Sequence, residues 1–266
     1  MSTKGVADVV FCLDASDSMK PCIDGVKTHI SSFLEGLKSD RQRNWDVRFD
    51  FLAHQTVLGE GGVIGHGHYS LYHNGESSEE GDVLTALYTG QKGQQGQRGR
   101  FFTTDINEFK RGLEKVEVIG DEGPFVALDS CLDFPWRKAG ECHRVVIFMT
   151  DEPFETSSAP EEERQFLEEL LQKTQDLKVL LFIVAPDSPA YEELAEVDKS
   201  EYEAVDGRSA GLADVDFRKL LSGIGKSVSV STANQQKPTA EKKVKRGLFG
   251  QTEWGNVEGV DATDRT

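Results

Sequence analysis

A run of five apolar residues near the start of the chain, Val9 to Leu13, constrains the fold most. Two β-branched residues and one aromatic residue within it are typical of a strand buried on both faces, as in a parallel sheet. The run leads into Asp14, Ser16 and Ser18, an Asp-x-Ser-x-Ser pattern. Open α/β sheets bind ligands at the carboxyl ends of their strands. The pattern therefore predicts a ligand site of hard oxygens, although a solvated turn that caps the next helix is the alternative.

A second run, Val145 to Met149, has the same character and ends in Thr150, Asp151 and Glu152. Two buried strands that each end in an aspartate are much harder to obtain by chance than one. The oxygens of Asp14, Ser16 and Ser18 suit a hard cation such as Mg²⁺, which prefers octahedral oxygen coordination.

The rest of the chain alternates helical and extended patterns, which predicts a parallel sheet covered on both faces. Trp45 to Phe51 alternates apolar residues with Asp46, Arg48 and Asp50, which predicts a half-buried strand. The other predicted elements are a helix to Leu37, a helix capped by Asp105 with Glu108 reaching back, a helix using Phe125 to Phe134, a helix capped by Ser158, a strand from Val179 to Val184, a short helix from Tyr191 to Val197, an edge strand from Tyr202 to Val205, and a closing helix capped by Asp214.

The Asp-Ser-Ser loop and the Thr-Asp-Glu strand end, in this order, resemble the motifs of von Willebrand factor A domains over roughly Ala7 to Lys226. The resemblance implies a three-layer α/β fold, with an open, mostly parallel, doubly wound Rossmann-like sheet and one antiparallel edge strand. It also implies a metal-ion-dependent adhesion site. There Ser16 and Ser18 would bind the ion directly, and Asp14 and Asp151 would bind directly or through water. The expected ion is Mg²⁺, with Mn²⁺ or Ca²⁺ as alternatives.

One position departs from the family pattern. The family has a threonine before its third helix that supplies another metal oxygen, and Glu122 falls there in this chain. A glutamate pointing inward would add negative charge beside two aspartates. This charge favours a bound divalent ion but disfavours binding of an acidic partner. We expect a site that is self-closed or accepts a different ligand. If Glu122 points to solvent, the other four residues form a weakened site.

Between about residues 54 and 100 the sequence shows no regular helical or extended pattern and is rich in glycine. Such a long insertion in a compact domain is functional or mobile, and we expect the antiparallel edge strand inside it. His66, His68 and His73 lie there as well. They suggest a surface loop rather than a zinc or nickel site, because no further Cys or carboxylate stands at ligand spacing.

The composition changes near the carboxyl end. Residues 1–228 are predicted to form the domain, and residues 229–266 are predicted to form a linker and a tail. From Ser227 onward the composition is rich in Ser and Gln, which is typical of a linker. The tail carries the only basic cluster, Lys242 to Arg246, followed by Leu248, Phe249 and Trp254. These three are candidates for docking a partner or folding back on the domain, and a disordered tail is the alternative.

The formal net charge of −16 argues against a nucleic-acid binder or a protein of anionic membrane surfaces, which need a basic face. The chain opens without a signal peptide pattern and contains no long apolar run. The four cysteines have no Cys-x-x-Cys spacing. They are predicted to be reduced thiols, and the protein is expected in the cytoplasm.

By resemblance, the chain is a metal-dependent protein–protein interaction module of an intracellular multiprotein system. Intracellular relatives are typically bacterial, in tellurite-resistance, stress or defence systems, so a kinase, phosphatase or ATPase of the same system is the expected partner. The alternative is a phosphoester hydrolase of haloacid-dehalogenase-like layout. That chemistry needs a second Asp two residues after Asp14, where this chain has Ser16. We therefore expect no enzyme activity. A third possibility is a domain that serves mainly to present its tail.

Overall fold

The computed structural model describes residues 3–38, 43–58, 64–72, 74–77, 100–118, 124–152, 160–206 and 212–231. The strands in these ranges are β1 (Thr3–Asp14), β2 (Arg43–Leu58), β3 (Ile64–Ser70), β4 (Asn74–Ser77), β5 (His143–Met149), β6 (Val179–Pro186) and β7 (Glu201–Val205). The α-helices are α1 (Lys20–Leu37), α2 (Ile106–Leu113), α3 (Pro124–Leu132), α4 (Pro160–Leu177), α5 (Pro189–Leu194) and α6 (Phe217–Val230).

The strands form one sheet in the order β4-β3-β2-β1-β5-β6-β7. All neighbouring strands are parallel except that β3 is antiparallel to both β2 and β4. The strand order reverses direction at β1, which is the topological switch point of a doubly wound sheet. The predicted fold class is confirmed, with β3 as the antiparallel strand inside the insertion and the short β4 added outside it.

Both faces of the sheet are covered by helices. On β1, Val9, Phe11 and Leu13 belong to the apolar cluster that includes residues of α1, α2 and α6. Val10 and Cys12 belong to the opposite cluster, which includes residues of α3, α4 and α5. The run from Val9 to Leu13 is buried throughout, because strands inside a parallel sheet have no solvent-facing side.

Three predictions around β2 and β3 are corrected. The regular pattern continues past His54, because β2 runs to Leu58. His66 and His68 lie in strand β3 rather than a surface loop, and His68 is buried opposite His54. His73 lies outside the described residues. The polar face of β2 is not wholly solvated, since Asp50 is only 1% exposed.

The helix ends also differ in part from their sequence signals. Asp105 caps α2 as predicted, by accepting from the N–H of Asn107, but Glu108 accepts from the Thr103 hydroxyl instead of reaching back. Helix α5 ends at Leu194 rather than Val197. The predicted Ser158 cap of α4 lies outside the described residues.

The linker prediction is wrong for Ser227 to Val230, which form the last turn of α6. Ser227, Val228 and Ser229 are fully buried there, because packing of the helix outweighs a serine-rich composition. Asp216, not Asp214, caps this helix by accepting from the N–H of Lys219. In the described part of the chain, none of the helices is both long enough and apolar enough to cross a membrane.

Candidate metal centre

The carboxyl ends of β1 and β5 lie side by side at the centre of the sheet. In the parallel register, Leu13 pairs with Met149, so Asp14 and the residues that follow Met149 emerge together. Asp14 is the last residue of β1 and is 5% exposed, whereas Asp151 follows β5 by two residues and is 6% exposed. Adjacent parallel strands thus bring together two carboxylates that are far apart in the sequence.

The loop after β1 folds back on the end of its own strand. The N–H of Ser16 donates to Oδ1 of Asp14 at 2.8 Å, and the N–H of Met19 donates to the Ser16 carbonyl at 3.0 Å. This second bond closes a 3₁₀ turn over Asp17–Met19, directly before α1. The turn brings Oγ of Ser16 within 3.1 Å of Oγ of Ser18, while Asp17 between them is exposed.

Hydrogen bonds connect this loop to the loop after β5. Oγ of Ser18 donates to Oδ1 of Asp151 at 3.1 Å. Oγ1 of Thr150 donates to Oδ2 of Asp14 at 2.9 Å and accepts from the N–H of Glu152 at 3.1 Å. The structure therefore brings together Asp14, Ser16, Ser18 and Asp151. Thr150 is a further site residue, whose only sequence signal was its place in the Thr-Asp-Glu strand end.

The pKa of the Cys22 thiol is affected by the two carboxylates of this site. The pKa of Cys22 is raised well above its usual value, mainly by burial and further by the negative charges of Asp14 and Asp151. The thiol lies in α1 and contacts Sδ of Met149 at 3.6 Å. The two carboxylates add to the effect of burial on this thiol, and a bound cation would offset their negative charge. All four cysteines are buried and free.

The donors fit a hard cation. Two carboxylates and two hydroxyls offer only oxygen, as Mg²⁺, Mn²⁺ and Ca²⁺ prefer. Among the described residues, no group of three or more His, Cys, Asp and Glu side chains is placed to hold a metal. Glu122 lies outside the described residues, as do the tail residues Leu248, Phe249 and Trp254.

Asp8 is a buried carboxylate that lies away from this centre. Asp8, in β1, accepts from the guanidinium groups of Arg48 and Arg137 at 2.6 to 2.8 Å. Burial alone would raise the pKa of Asp8, but the hydrogen bonds and charge of these two arginines outweigh burial and leave it lowered. Because this ion pair network lies at the amino-terminal side of β1, it serves the fold and not the metal centre.

Asp50, in β2, joins three backbone segments. Its Oδ1 accepts from the N–H groups of Phe51 at 2.8 Å and Leu71 at 3.2 Å, and its Oδ2 accepts from the N–H of Phe102 at 2.8 Å. Alternation within β2 predicted a half-exposed position, so this role was not detectable from the sequence. Leu71 directly follows β3 and Phe102 precedes α2, so Asp50 ties both segments to the sheet.

Known proteins that are similar to this chain come from solved structures. Neither the family models nor the curated proteins gave a match. Among solved structures, it is similar to a von Willebrand factor type A protein from Catenulispora acidiphila, at a TM-score of 0.45 and 14% identity over 84% of this chain and 43% of that chain. It is also similar to proximal thread matrix protein 1 of the mussel byssus, which was solved with a zinc-occupied MIDAS motif. The TM-score is 0.45 and the identity is 14%, over 84% of this chain and 45% of that chain. The matches thus cover less than half of each of these proteins.

Proposed function

We propose that the chain is a metal-dependent protein–protein interaction module. The observation that carries the proposal is the hydrogen-bonded set of oxygens at the ends of β1 and β5, with Ser16, Ser18 and Asp151 linked at 3.1 Å and Asp14 beside them. Ser16 and Ser18 would bind the ion directly, and Asp14 and Asp151 would bind it directly or through water. The bound ion would offer its open position to an oxygen of a partner protein.

Mg²⁺ is the proposed ion, with Mn²⁺ or Ca²⁺ as alternatives, because every donor is oxygen. Thr150 would hold the carboxylate of Asp14 in position by its 2.9 Å hydrogen bond. Glu122 is proposed to supply a further carboxylate, which would close the site or select a partner other than an acidic one. Binding rather than catalysis is proposed, since Ser16 stands where a haloacid-dehalogenase-like enzyme needs its general acid.

Metal binding is tested by titrating the full chain with Mn²⁺ and following free Mn²⁺ by electron paramagnetic resonance. Wild type should bind one ion, and Asp14→Asn should bind at least about 10-fold more weakly because a charged ligand is lost. Asp17→Asn is the matched control, since Asp17 is in the same loop but exposed. At a concentration about 100 times Kd, the ion should raise the free energy of unfolding by about 2.7 kcal/mol. Equal affinities for both variants would contradict the proposed ligands.

We propose an intracellular role in a bacterial multiprotein system for stress or defence, with a kinase, phosphatase or ATPase as partner. Leu248, Phe249 and Trp254 are proposed as a second contact with that partner. Affinity capture tests whether partner binding depends on the ion, by adding a chelator, and whether it depends on the tail, by using a chain with the three tail residues replaced. A partner lost with the chelator depends on the ion, and a partner lost on replacing the three tail residues by Ala depends on the tail.

The hydrolase alternative has its own test. Wild type and Asp14→Ala are incubated with phosphoester substrates in the presence of Mg²⁺, and released phosphate is measured. We expect neither protein to release phosphate. Hydrolysis by wild type that Asp14→Ala abolishes would replace the binding proposal by an enzymatic one.

A further inference from the structure

Tyr191 is a fully buried tyrosine that contacts the loop carrying Asp151. It lies in α5, and its hydroxyl donates to the carbonyl of Glu152 at 3.1 Å. Glu152 is the residue directly after Asp151. The hydroxyl of Tyr191 therefore reaches from the helix after β6 to the backbone of the candidate metal centre.

The peptide groups around Glu152 are fixed on two sides. The N–H of Glu152 donates to Oγ1 of Thr150, and its carbonyl accepts from Tyr191. Thr150 in turn donates to Asp14, and its own N–H donates to the Val184 carbonyl at 3.2 Å. Because Asp151 lies between these two held residues, the direction of its carboxylate depends on both hydrogen bonds.

The ring of Tyr191 is held by aromatic neighbours. It packs on Phe148 of β5 at 5.8 Å between ring centroids and meets Phe125 edge-on at 6.1 Å. Phe125 lies in the first turn of α3, and Phe148 lies three residues before Asp151. Ring and hydroxyl thus connect α5 to β5, to the loop after β5 and to the start of α3.

We infer that Tyr191 is a positioning residue of the metal centre, which sets the affinity for the ion by holding the backbone after Asp151. This inference rests on the proposed metal-binding function. The contrasting possibility is a tyrosine that only fills the core. Groups behind the metal ligands typically change metal affinity about 10-fold or more when they are removed.

Tyr202 offers a matched control. It is also fully buried, its ring centroid is 6.4 Å from that of Tyr191, and its hydroxyl donates to the Pro186 carbonyl at 2.6 Å. Pro186 ends β6 and is not part of the metal centre. Tyr202→Phe therefore removes the buried contacts of a tyrosine hydroxyl, with the Pro186 carbonyl and with the Ser188 N–H, without touching the loop of Asp151.

The experiment compares wild type, Tyr191→Phe and Tyr202→Phe in the full chain. Mn²⁺ affinity is measured by titration, thermal unfolding reports stability, and amide hydrogen exchange of Glu152 is followed in the metal-free protein. We expect Tyr191→Phe to bind Mn²⁺ about 10-fold more weakly and to exchange the Glu152 amide faster. Tyr202→Phe should match wild type in both measurements, even where its thermal stability falls as far as that of Tyr191→Phe.

Equal Mn²⁺ affinities of wild type and Tyr191→Phe would overturn the inference and leave the proposed function standing. An equal loss of affinity in both variants would also overturn it, because that result reports core packing alone. A wild-type chain that binds no ion at all would instead overturn the proposed function, and this inference with it.

Discussion

At the scale of single residues, the protonation of Asp50 is linked to folding. Burial raises its pKa from 3.8 to about 7, although its three N–H donors and the charge of Arg48 act in the opposite direction. Between these two pH values the folded chain holds a proton that the unfolded chain has released. The contribution of Asp50 to stability is therefore complete below about pH 4, and it is lost as the pH rises through about 7.

Asp50→Asn should remove this pH dependence. From pH 5 to pH 8, the free energy of unfolding from urea denaturation should fall by up to about 3 kcal/mol more in wild type than in the variant. At pH 5, where Asp50 holds its proton, the variant should be less stable than wild type by about 1 to 3 kcal/mol, because its amide NH₂ faces a backbone N–H. This difference should shrink or reverse towards pH 8, because wild type loses stability over that range and the variant does not. Asp105→Asn is the control, since Asp105 is an exposed cap and Asn caps equally well. Parallel pH profiles of wild type and Asp50→Asn would contradict the link.

At the scale of elements, α1 and α6 approach each other at two glycines. A Cβ on Gly225 would lie 2.2 Å from the carbonyl oxygen of Phe33, and a Cβ on Gly36 would lie 2.2 Å from that of Ser222. Both clashes are with backbone, which cannot rotate away. The short distance between these two helices therefore depends on the absence of a side chain at both positions.

Gly225→Ala should lower the free energy of unfolding by about 1 to 3 kcal/mol, because α6 must move away from α1. Intrinsic helix propensity acts the other way, since Ala is favoured over Gly by about 1 kcal/mol within a helix. Arg218→Ala, at an exposed position of the same helix, should change stability by less than about 0.5 kcal/mol. Urea denaturation measures all three proteins, and a Gly225→Ala chain more stable than wild type would refute the packing argument.

At the scale of the whole molecule, the place where the folded domain ends matters for any study of the tail. Helix α6 continues to Val230, and Val228 within its last turn is fully buried in the same cluster as β1 and α1. A domain that ended at Lys226 would lose this turn. A shortened chain used to test partner binding by the tail should therefore keep Ser227 to Ser231.

A chain ending at Ser231 should unfold thermally at a temperature close to that of the full chain. A chain ending at Lys226 should lose about 3 kcal/mol, because the burial of Val228 and its neighbours is removed. Circular dichroism during heating compares the three lengths. Equal stability of the two shortened chains would show that the last turn of α6 contributes nothing to the fold.

The sequence by itself determined the central features. Apolar runs at Val9 to Leu13 and Val145 to Met149 are long enough and β-branched enough to specify buried strands, and alternation with helices specifies a parallel sheet. That Asp14 and Asp151 would meet was implied by the resemblance of their two motifs to those of von Willebrand factor A domains. The strands and the sheet type are local patterns or follow from general rules of α/β topology, so they can be found without coordinates.

Only the tertiary structure decided the rest. The burial of Asp50, the extra turn of α6 at Ser227 to Val230, and the hydrogen bond from Tyr191 to Glu152 depend on contacts between distant segments. In the sequence, Asp50 looks like the polar side of a strand and the serines look like a linker. The structure shows the opposite of both expectations. Burial and hydrogen bonding depend on which segments pack against a residue, and local composition does not contain that information.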